Sequence, residues 1–315
     1  MQQSLIFTEG FGCGKIVDIA LTSFHKHHDL KVFVFGTSDD FTSITPHPNN
    51  ILVDCSNIQE LRNLYLTGHA GTAYIFARVY SGNMREFDNC ITQEYDKSLL
   101  DCTHVIHFDS DIYFKKESIS LIEKEFDIGY HIIGSRRCYT NNPANIPVDP
   151  SIPDSTSTYF FGMDISIIPK YDIVQFASMC QGGFNPLGHM VFDFFDPVTF
   201  VALKNGAKIK FIDQEKVGGQ NENGKKHSSF KSNMHMDVGE NLAHFGGVGS
   251  GYAYHLNKAK QNPSYGKWAL GRWGIFAKIF YFDNFDYGPP IYGDDGRWIN
   301  GGYDDELLNI IQSDI

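Results

Sequence analysis

The residues best suited to chemistry in this sequence are Asp109, Ser110 and Asp111, which directly follow the apolar segment 105–108. In an extended turn, two carboxylates separated by one residue project their oxygen atoms toward one point. Magnesium and manganese prefer oxygen ligands and typically take one or two carboxylates, completing their shell with substrate phosphates. An ordinary polar loop is the alternative interpretation, but the position after a buried strand favours a metal and diphosphate site.

Hydrophobic periodicity predicts the elements that position this pair. Short apolar runs alternate with amphipathic segments, which is typical of a sheet built from strand–helix units. We expect strands at residues 4–8, 31–35, 50–53, 105–108, 131–134, 158–168 and 208–212. We expect helices at residues 70–80 and 118–126, and one after the first strand with Val17, Ala20, Leu21 and Phe24 on one face. The predicted fold class is α/β, with a mostly parallel, Rossmann-like central sheet flanked by helices.

Helix-end chemistry predicts one further helix. Asp196 is expected to cap its N-terminus, Pro197 suits its first position and Gly206 suits its exit. A strand is expected to follow at residues 208–212.

Composition and charge exclude several classes of protein. The 315 residues are 42% apolar, enough to bury a core without disulfides or a structural metal. A net charge of −11 opposes the phosphate attraction that dominates nucleic-acid binding, so we expect no nucleic-acid partner. The six cysteines form no CxxC pair, which argues against a zinc ribbon. With no signal-type leader and no apolar run near the roughly 20 residues of a membrane span, we expect a soluble cytoplasmic protein.

At its Asp-x-Asp segment the chain resembles the nucleotide-sugar-dependent glycosyltransferases of the GT-A fold. The resemblance covers residues 1–250, with residues 251–315 as a C-terminal helical and loop extension that is expected to pack on this catalytic domain. In that family the first strand and the end of the second hold the nucleoside. The resemblance therefore implies nucleotide contacts from residues at the matching positions, which are Phe7, Thr8, Asp39 and Asp40. It also implies that Arg78, after Ala73 and Ala77, contacts the base or phosphate. Asp109 is expected to position the ribose or a metal-bound water, and Ser110 is a further expected donor contact.

Later motifs of the family match in their order along the chain. His244, followed by a glycine-rich segment, would complete a site for Mn²⁺ or Mg²⁺ with Asp109 and Asp111. An inverting enzyme of this family needs a carboxylate base for the acceptor hydroxyl, and Asp193 and Asp196 are the candidates. A retaining enzyme would need no such base, and the sequence leaves both outcomes open.

Taken together, these features predict a metal-dependent glycosyltransferase that moves a sugar from a nucleotide-diphosphate donor, expected to be a UDP-sugar, to a hydroxyl on a carbohydrate or other acceptor. The segment 140–157 and the aromatic C-terminal region are the expected acceptor-binding regions. One alternative is a sugar nucleotidyltransferase, although the segment 10–15 is a weak substitute for its glycine-rich basic signature. A second alternative is a non-catalytic carbohydrate-binding protein that keeps a degenerate glycosyltransferase fold.

Overall fold

The computed structural model describes the longer stretches 4–59, 69–82, 84–136, 155–169, 195–212 and 241–246, and the short ones 183–184, 190–192, 216–217, 236–238, 248–249, 257, 273–274 and 276–280. The strands, numbered along the chain, are β1 (Ser4–Glu9), β2 (Val32–Gly36), β3 (Asn50–Asp54), β4 (His104–Phe108), β5 (Ile112–Phe114), β6 (Ile132–Arg136), β7 (Thr156–Asp164), β8 (Gly183–Phe184), β9 (Met190–Phe192), β10 (Ile209–Ile212), β11 (Lys216–Val217), β12 (Met236–Val238) and β13 (Leu242–His244). The α-helices are α1 (Gly14–His27), α2 (Ser38–Phe41), α3 (His69–Tyr80), α4 (Ile119–Asp127) and α5 (Asp196–Lys204).

A mixed sheet forms the centre of the described part of the chain, with its seven strands in the order β10-β6-β7-β4-β1-β2-β3. Strands β4, β1, β2 and β3 run parallel to one another, and β10 runs parallel to β6. Strand β7 is antiparallel to both of its neighbours, β4 and β6. The structure therefore confirms the expected α/β fold with a mostly parallel central sheet flanked by helices.

Helices cover both faces of this sheet. Side chains of α1 and α4, including Phe24 and Ile122, pack on one face. Side chains of α3 and α5, including Phe76 and Val198, pack on the other. Because strands buried on both faces carry apolar residues continuously, β2 (Val32–Gly36) is a fully buried run that the sequence reveals directly.

Strand β7 differs from the expected strand at residues 158–168. It spans Thr156–Asp164 and gives way to a single 3₁₀ turn over Ile165–Ile167. The Asp164 carboxylate ends the strand because it accepts the Ser166 N–H at 2.9 Å and caps that turn. Since β7 is antiparallel to β4, its first residues lie at the carboxyl end of β4, next to the Asp-x-Asp segment.

The start of α5 corrects the expectation that Asp196 is a helix cap. Helix α5 begins at Asp196 itself, and the N-cap is Phe195, which adopts a left-handed conformation with a φ of 68° and makes no side-chain cap. The Asp196 carboxylate accepts the hydroxyl hydrogen of Ser155 at 2.6 Å. The expected exit is confirmed, since Gly206 has a φ of 89° just after the helix end.

Aromatic residues late in the chain pack beside β5 and β13. Phe276 and Phe280 contact the ring of Phe245 at centroid distances of 5.2 Å and 5.5 Å. Phe280 also contacts Tyr113 of β5 at 5.5 Å. The domain boundary at residue 250 stays a prediction. Among the described residues, no helix has the length and apolar character needed to cross a bilayer.

A buried histidine joins the end of α1 to the start of α4. His28 donates its Nδ1 hydrogen to the Phe24 carbonyl at 2.8 Å, and its Nε2 accepts the Ser118 N–H at 2.9 Å. Only a neutral imidazole with its proton on Nδ1 can make both bonds, because the protonated ring has no acceptor. Burial lowers the pKa of His28 below its ordinary value of 6.5.

We expect the free energy of unfolding to fall as the pH falls below 6.5, the ordinary pKa of histidine. Above that pH neither state binds the proton and the stabilisation is complete, whereas below it the unfolded chain takes up a proton that folded His28 does not bind. His28→Gln removes this titration and should cost about 1–3 kcal/mol at neutral pH, through its lost buried contacts. In urea titrations, the difference in free energy of unfolding between wild type and variant should become smaller as the pH falls. A difference that stays the same at every pH would contradict the assignment.

Gly162 of β7 offers a second test of the packing between the sheet and α4. A Cβ at this position would lie 2.4 Å from Ile122 Cγ2 and 2.9 Å from Phe126 Cζ. Gly162→Ala should therefore destabilise the fold by about 1–3 kcal/mol, measured by chemical denaturation. In an Ile122→Ala background, which removes the closest atom, the same change should cost clearly less, and an equal cost in both backgrounds would refute the packing explanation.

Candidate metal centre

The Asp-x-Asp segment lies where the sequence predicts it, at the carboxyl end of β4 and beside the end of β1. Two main-chain hydrogen bonds hold it there. The Asp109 N–H donates to the Tyr159 carbonyl at 2.8 Å, and the Phe245 N–H donates to the Asp111 carbonyl at 2.9 Å. The segment is thus tied both to β7 and to the chain that follows β13.

His244 reaches this segment through a second, small sheet. Strands β11, β12, β13 and β5 are arranged in that order, and the pairing of β13 with β5 places His244 opposite Ile112, directly after Asp111. Its Nε2 atom lies 3.3 Å from Asp111 Oδ1 and 3.7 Å from Asp109 Oδ2. The structure therefore brings together the three residues that the sequence nominated as metal ligands.

These three side chains fit a divalent cation. One ligand atom from each lies within 4.8 Å of the others. Two ligands about 2.1 Å from one ion and at right angles are about 3 Å apart, close to the separations observed. Two carboxylates and an imidazole are donors that Mn²⁺ or Mg²⁺ accepts. The donor set is thus compatible with the metal that the sequence predicts.

Burial makes the carboxylate pair unfavourable unless positive charge faces it. Asp111 is 4% exposed, and its Oδ2 accepts the Gly249 N–H at 2.9 Å. Burial raises the pKa of Asp109 to about 7, the charge of Asp111 adds to this rise, and His107 and His244 oppose it. A bound cation would offset this repulsion between the carboxylates.

Two residues beside Asp109, the buried His107 and its neighbour Glu9, are not among the site residues expected from the sequence. His107 of β4 is fully buried, with Nδ1 donating to the Thr158 carbonyl at 2.8 Å and Nε2 lying 2.8 Å from Glu9 Oε2. Burial lowers the pKa of His107, but the carboxylates of Glu9 and Asp109 outweigh it and raise the pKa overall. Glu9, His107 and Asp109 are spaced closely enough to hold a metal. Because both His107 nitrogens already have hydrogen-bond partners, the closeness of these three residues is explained without a metal.

The signal for this pair was available in the sequence. His107 is the polar residue within an otherwise apolar strand run, 105–108, and Glu9 ends the run of β1. Because β1 and β4 are neighbours with Phe7 opposite His107, Glu9 and Asp109 continue the same face. Their meeting could be seen only after the strand order was known.

The nucleoside residues implied by the resemblance lie in different environments. Phe7 and Thr8 are completely buried, and Phe7 packs its ring against Phe35, Phe76, Tyr80 and His107. Neither side chain presents surface, because neighbouring strands and helices cover both faces of β1, and their expected nucleotide contact stays a prediction. Asp39 is exposed in the first turn of α2.

Asp40 is occupied by a structural role. Its Oδ2 accepts the Thr37 N–H at 2.9 Å, and its own N–H donates to the Thr37 hydroxyl oxygen at 3.3 Å, which together form a capping box on α2. The Thr37 hydroxyl also donates to Oδ2 at 2.7 Å. Its Oδ1 accepts the Gly12 N–H at 2.8 Å. Asp40 therefore fixes the turn after β1 to the end of β2.

The structure also shows the surroundings of the candidates Arg78, Ser110 and Asp196. The described contacts of Arg78 are with the Tyr74 hydroxyl and, as an ion pair, with Glu86. Ser110 is buried, with a hydrogen bond to the thiol of Cys13. Asp196 is 3% exposed and bonded to Ser155. Asp193 and the acceptor segment up to residue 154 lie outside the described residues.

Comparisons with known proteins find likeness among solved structures. No protein-family model and no curated protein matches the sequence. The chain is similar to mouse xyloside xylosyltransferase 1 in its apo form, with 11% identity over 67% of this chain and 85% of that one and a TM-score of 0.37. For the galactosyltransferase LgtC with donor and acceptor sugar analogues, identity is 13%, coverage 66% and 73%, and TM-score 0.40. For 4-diphosphocytidyl-2C-methyl-D-erythritol synthase from Anaerococcus prevotii, identity is 11%, coverage is 67% of this chain and 89% of that one, and the TM-score is 0.37. Scores of this size carry no argument about activity, which must come from the acidic centre itself.

Gly249 offers a test of the loop that holds Asp111. A Cβ added there would lie 2.4 Å from Ser110 Oγ and 3.5 Å from Asp111 Oδ2. Gly249→Ala should displace the N–H that orients Asp111 and weaken Mn²⁺ binding about 10-fold, as loss of a ligand's supporting hydrogen bond does. Calorimetric titration with MnCl₂ measures this change. The double variant with Ser110→Ala, which removes the clashing oxygen, should recover much of the affinity, and unchanged affinity in the single variant would contradict this role.

Proposed function

We propose that this protein is a metal-dependent glycosyltransferase that transfers a sugar from a nucleotide-diphosphate donor, a UDP-sugar, to an acceptor hydroxyl. One observation carries the proposal: Asp109, Asp111 and His244 converge at the carboxyl end of β4, with a spacing and a donor set that suit one divalent cation. In parallel sheets this edge is where ligands bind. A cation held by these residues would stand at the edge of the sheet where a diphosphate is expected to bind.

Each residue of the centre has a definite task in this proposal. Asp111 and His244 would hold Mn²⁺ or Mg²⁺, and Asp109 would complete the ligand set or orient the donor ribose. The metal supplies neutralisation of the charge that develops on the departing nucleotide diphosphate. The N–H groups of Phe245 and Gly249 hold Asp111 in place. His107, which contacts Glu9, lies 3.8 Å from Asp109 and would offset part of its charge.

The nucleoside-binding part of the proposal rests first on Asp39. Asp39 is exposed at the end of β2, whereas Phe7, Thr8 and Asp40 serve the core and the turn. Asp39 is therefore the proposed ribose or base contact, and Ser110 and Arg78 remain proposed donor contacts.

Whether the protein needs a base for the acceptor hydroxyl depends on the stereochemistry of transfer. If transfer inverts the anomeric centre, Asp193 or Asp196 would take the proton of the acceptor hydroxyl. For Asp196, the buried hydrogen bond to Ser155 must first open for it to meet an acceptor. The segment 140–157 and the C-terminal aromatic residues are proposed to bind the acceptor.

Asp111→Asn provides the main test. The change keeps the shape of the side chain but removes the charge that binds the cation, so Mn²⁺-dependent transfer from UDP-sugars should fall by at least about 100-fold while the fold is kept. Product formation over a UDP-sugar panel, with and without Mn²⁺, measures the effect. Asp127→Asn, at the exposed end of α4, is the matched control and should keep wild-type activity. Undiminished turnover by Asp111→Asn with added Mn²⁺ would overturn the assignment.

The same samples separate the alternatives. Release of pyrophosphate from a nucleoside triphosphate and a sugar phosphate would identify a nucleotidyltransferase. Binding of free sugars without any dependence on nucleotide or metal would identify a carbohydrate-binding protein. Metal-dependent binding of UDP with slow hydrolysis of one UDP-sugar would support the glycosyltransferase.

A further inference from the structure

Tyr159 of β7 contacts both halves of the candidate metal centre. Its ring stacks on the imidazole of His244 with a centroid distance of 4.2 Å and an interplanar angle of 16°. Its carbonyl accepts the Asp109 N–H at 2.8 Å. The residue is 3% exposed, so these contacts are made inside the protein. One residue of the central sheet thus reaches a ligand from each of the two sheets.

The backbone alone leaves the direction of the His244 ring open. His244 is the last residue of a three-residue strand, and pairing with β5 fixes its Cα opposite Ile112. The torsion that turns an imidazole about its Cβ–Cγ bond has a broad minimum and does not by itself select one orientation. The observed orientation directs Nε2 at Asp111 Oδ1, 3.3 Å away, and Asp109 Oδ2, 3.7 Å away. Another contact must therefore hold the ring in this plane.

A flat neighbour at stacking distance meets that need. The Tyr159 ring lies nearly parallel to the imidazole, so rotation of His244 out of its plane would collide with the tyrosine. Stacking of the two rings also favours this arrangement in its own right. Meanwhile the tyrosine carbonyl fixes the backbone of Asp109 independently of the side chain.

We propose that Tyr159 is a positioning residue of the metal centre: its ring sets the plane of His244 so that Nε2 faces the two aspartates. This inference rests on the metal site in the proposed function. The phenol ring acts through His244 and touches neither metal nor substrate. Its effect therefore belongs to metal affinity and depends on the presence of the histidine.

The test compares Mn²⁺ affinity in wild type, Tyr159→Phe, Tyr159→Leu and Tyr159→Met, measured by calorimetric titration with MnCl₂ alone. Phenylalanine keeps the flat ring and should bind within about 2-fold of wild type, whereas leucine and methionine fill the space without a flat face. These two should bind about 10- to 100-fold more weakly, as for other residues that orient a metal ligand. All variants keep the main-chain bond to Asp109, and the two aliphatic variants guard against the failure of one to fold.

A double-mutant cycle with His244→Ala separates positioning from general structure. In the His244→Ala background, Tyr159→Leu should cause no further loss of Mn²⁺ affinity, because the ring it orients is gone. An equal loss in both backgrounds, or unchanged affinity in Tyr159→Leu and Tyr159→Met, would overturn the positioning role alone. A wild-type protein that binds Mn²⁺ but transfers no sugar would overturn the glycosyltransferase proposal and leave this cycle valid. A wild type without Mn²⁺ affinity would overturn both.

Discussion

The electrostatic repulsion between Asp109 and Asp111 is the constraint on which the rest of the site depends. Two neighbouring carboxylates, one of them buried, favour taking up a proton or a cation. Burial is the main cause of the raised pKa of Asp109, and the charge of Asp111 adds to it. The surrounding contacts are those that such a pair requires. The Gly249 N–H faces the Asp111 carboxylate, His244 faces both acids, and the buried His107 lies beside Asp109. The fold keeps the acids together at a cost that a divalent cation would relieve.

The architecture explains how Asp109 and Asp111 are kept close together despite their repulsion. Asp109 follows a central strand with a neighbour on either side, so its backbone cannot relax away from the edge of the sheet. The small sheet of β5 and β13 adds a second anchor directly after Asp111. The acids are therefore held between two sheets, and Tyr159 of the central sheet packs against the histidine that the small sheet supplies. Rigid elements, rather than loops alone, position the site.

The acidic composition of the chain bears on how the candidate metal centre would meet a nucleotide diphosphate. A net charge of −11 would repel a nucleotide diphosphate. Part of the acidic excess, namely Glu9, Asp39, Asp40, Asp109 and Asp111, lies at the ends of β1, β2 and β4. Of these, Asp40 serves a turn, Glu9 pairs with His107 and Asp39 is exposed on α2, which leaves the Asp-x-Asp pair to attract a cation. A cation at that place would turn a repulsive edge into one that a polyanion can approach.

The sequence by itself determined the elements with strong local signals. Strands such as β1 and β2, the amphipathic face of α1 and the position of Asp109 and Asp111 after β4 follow from periodicity, because strands buried on both faces must be apolar throughout. Only the tertiary structure decided the rest. It showed that Phe7 belongs to the core, that Asp196 bonds to Ser155, that Glu9 contacts His107, and that Tyr159 stacks on His244. These facts depend on which strands are neighbours and on the direction of β7. Such long-range pairings leave no mark in local sequence, and the three-residue strand that carries His244 is too short to show a period.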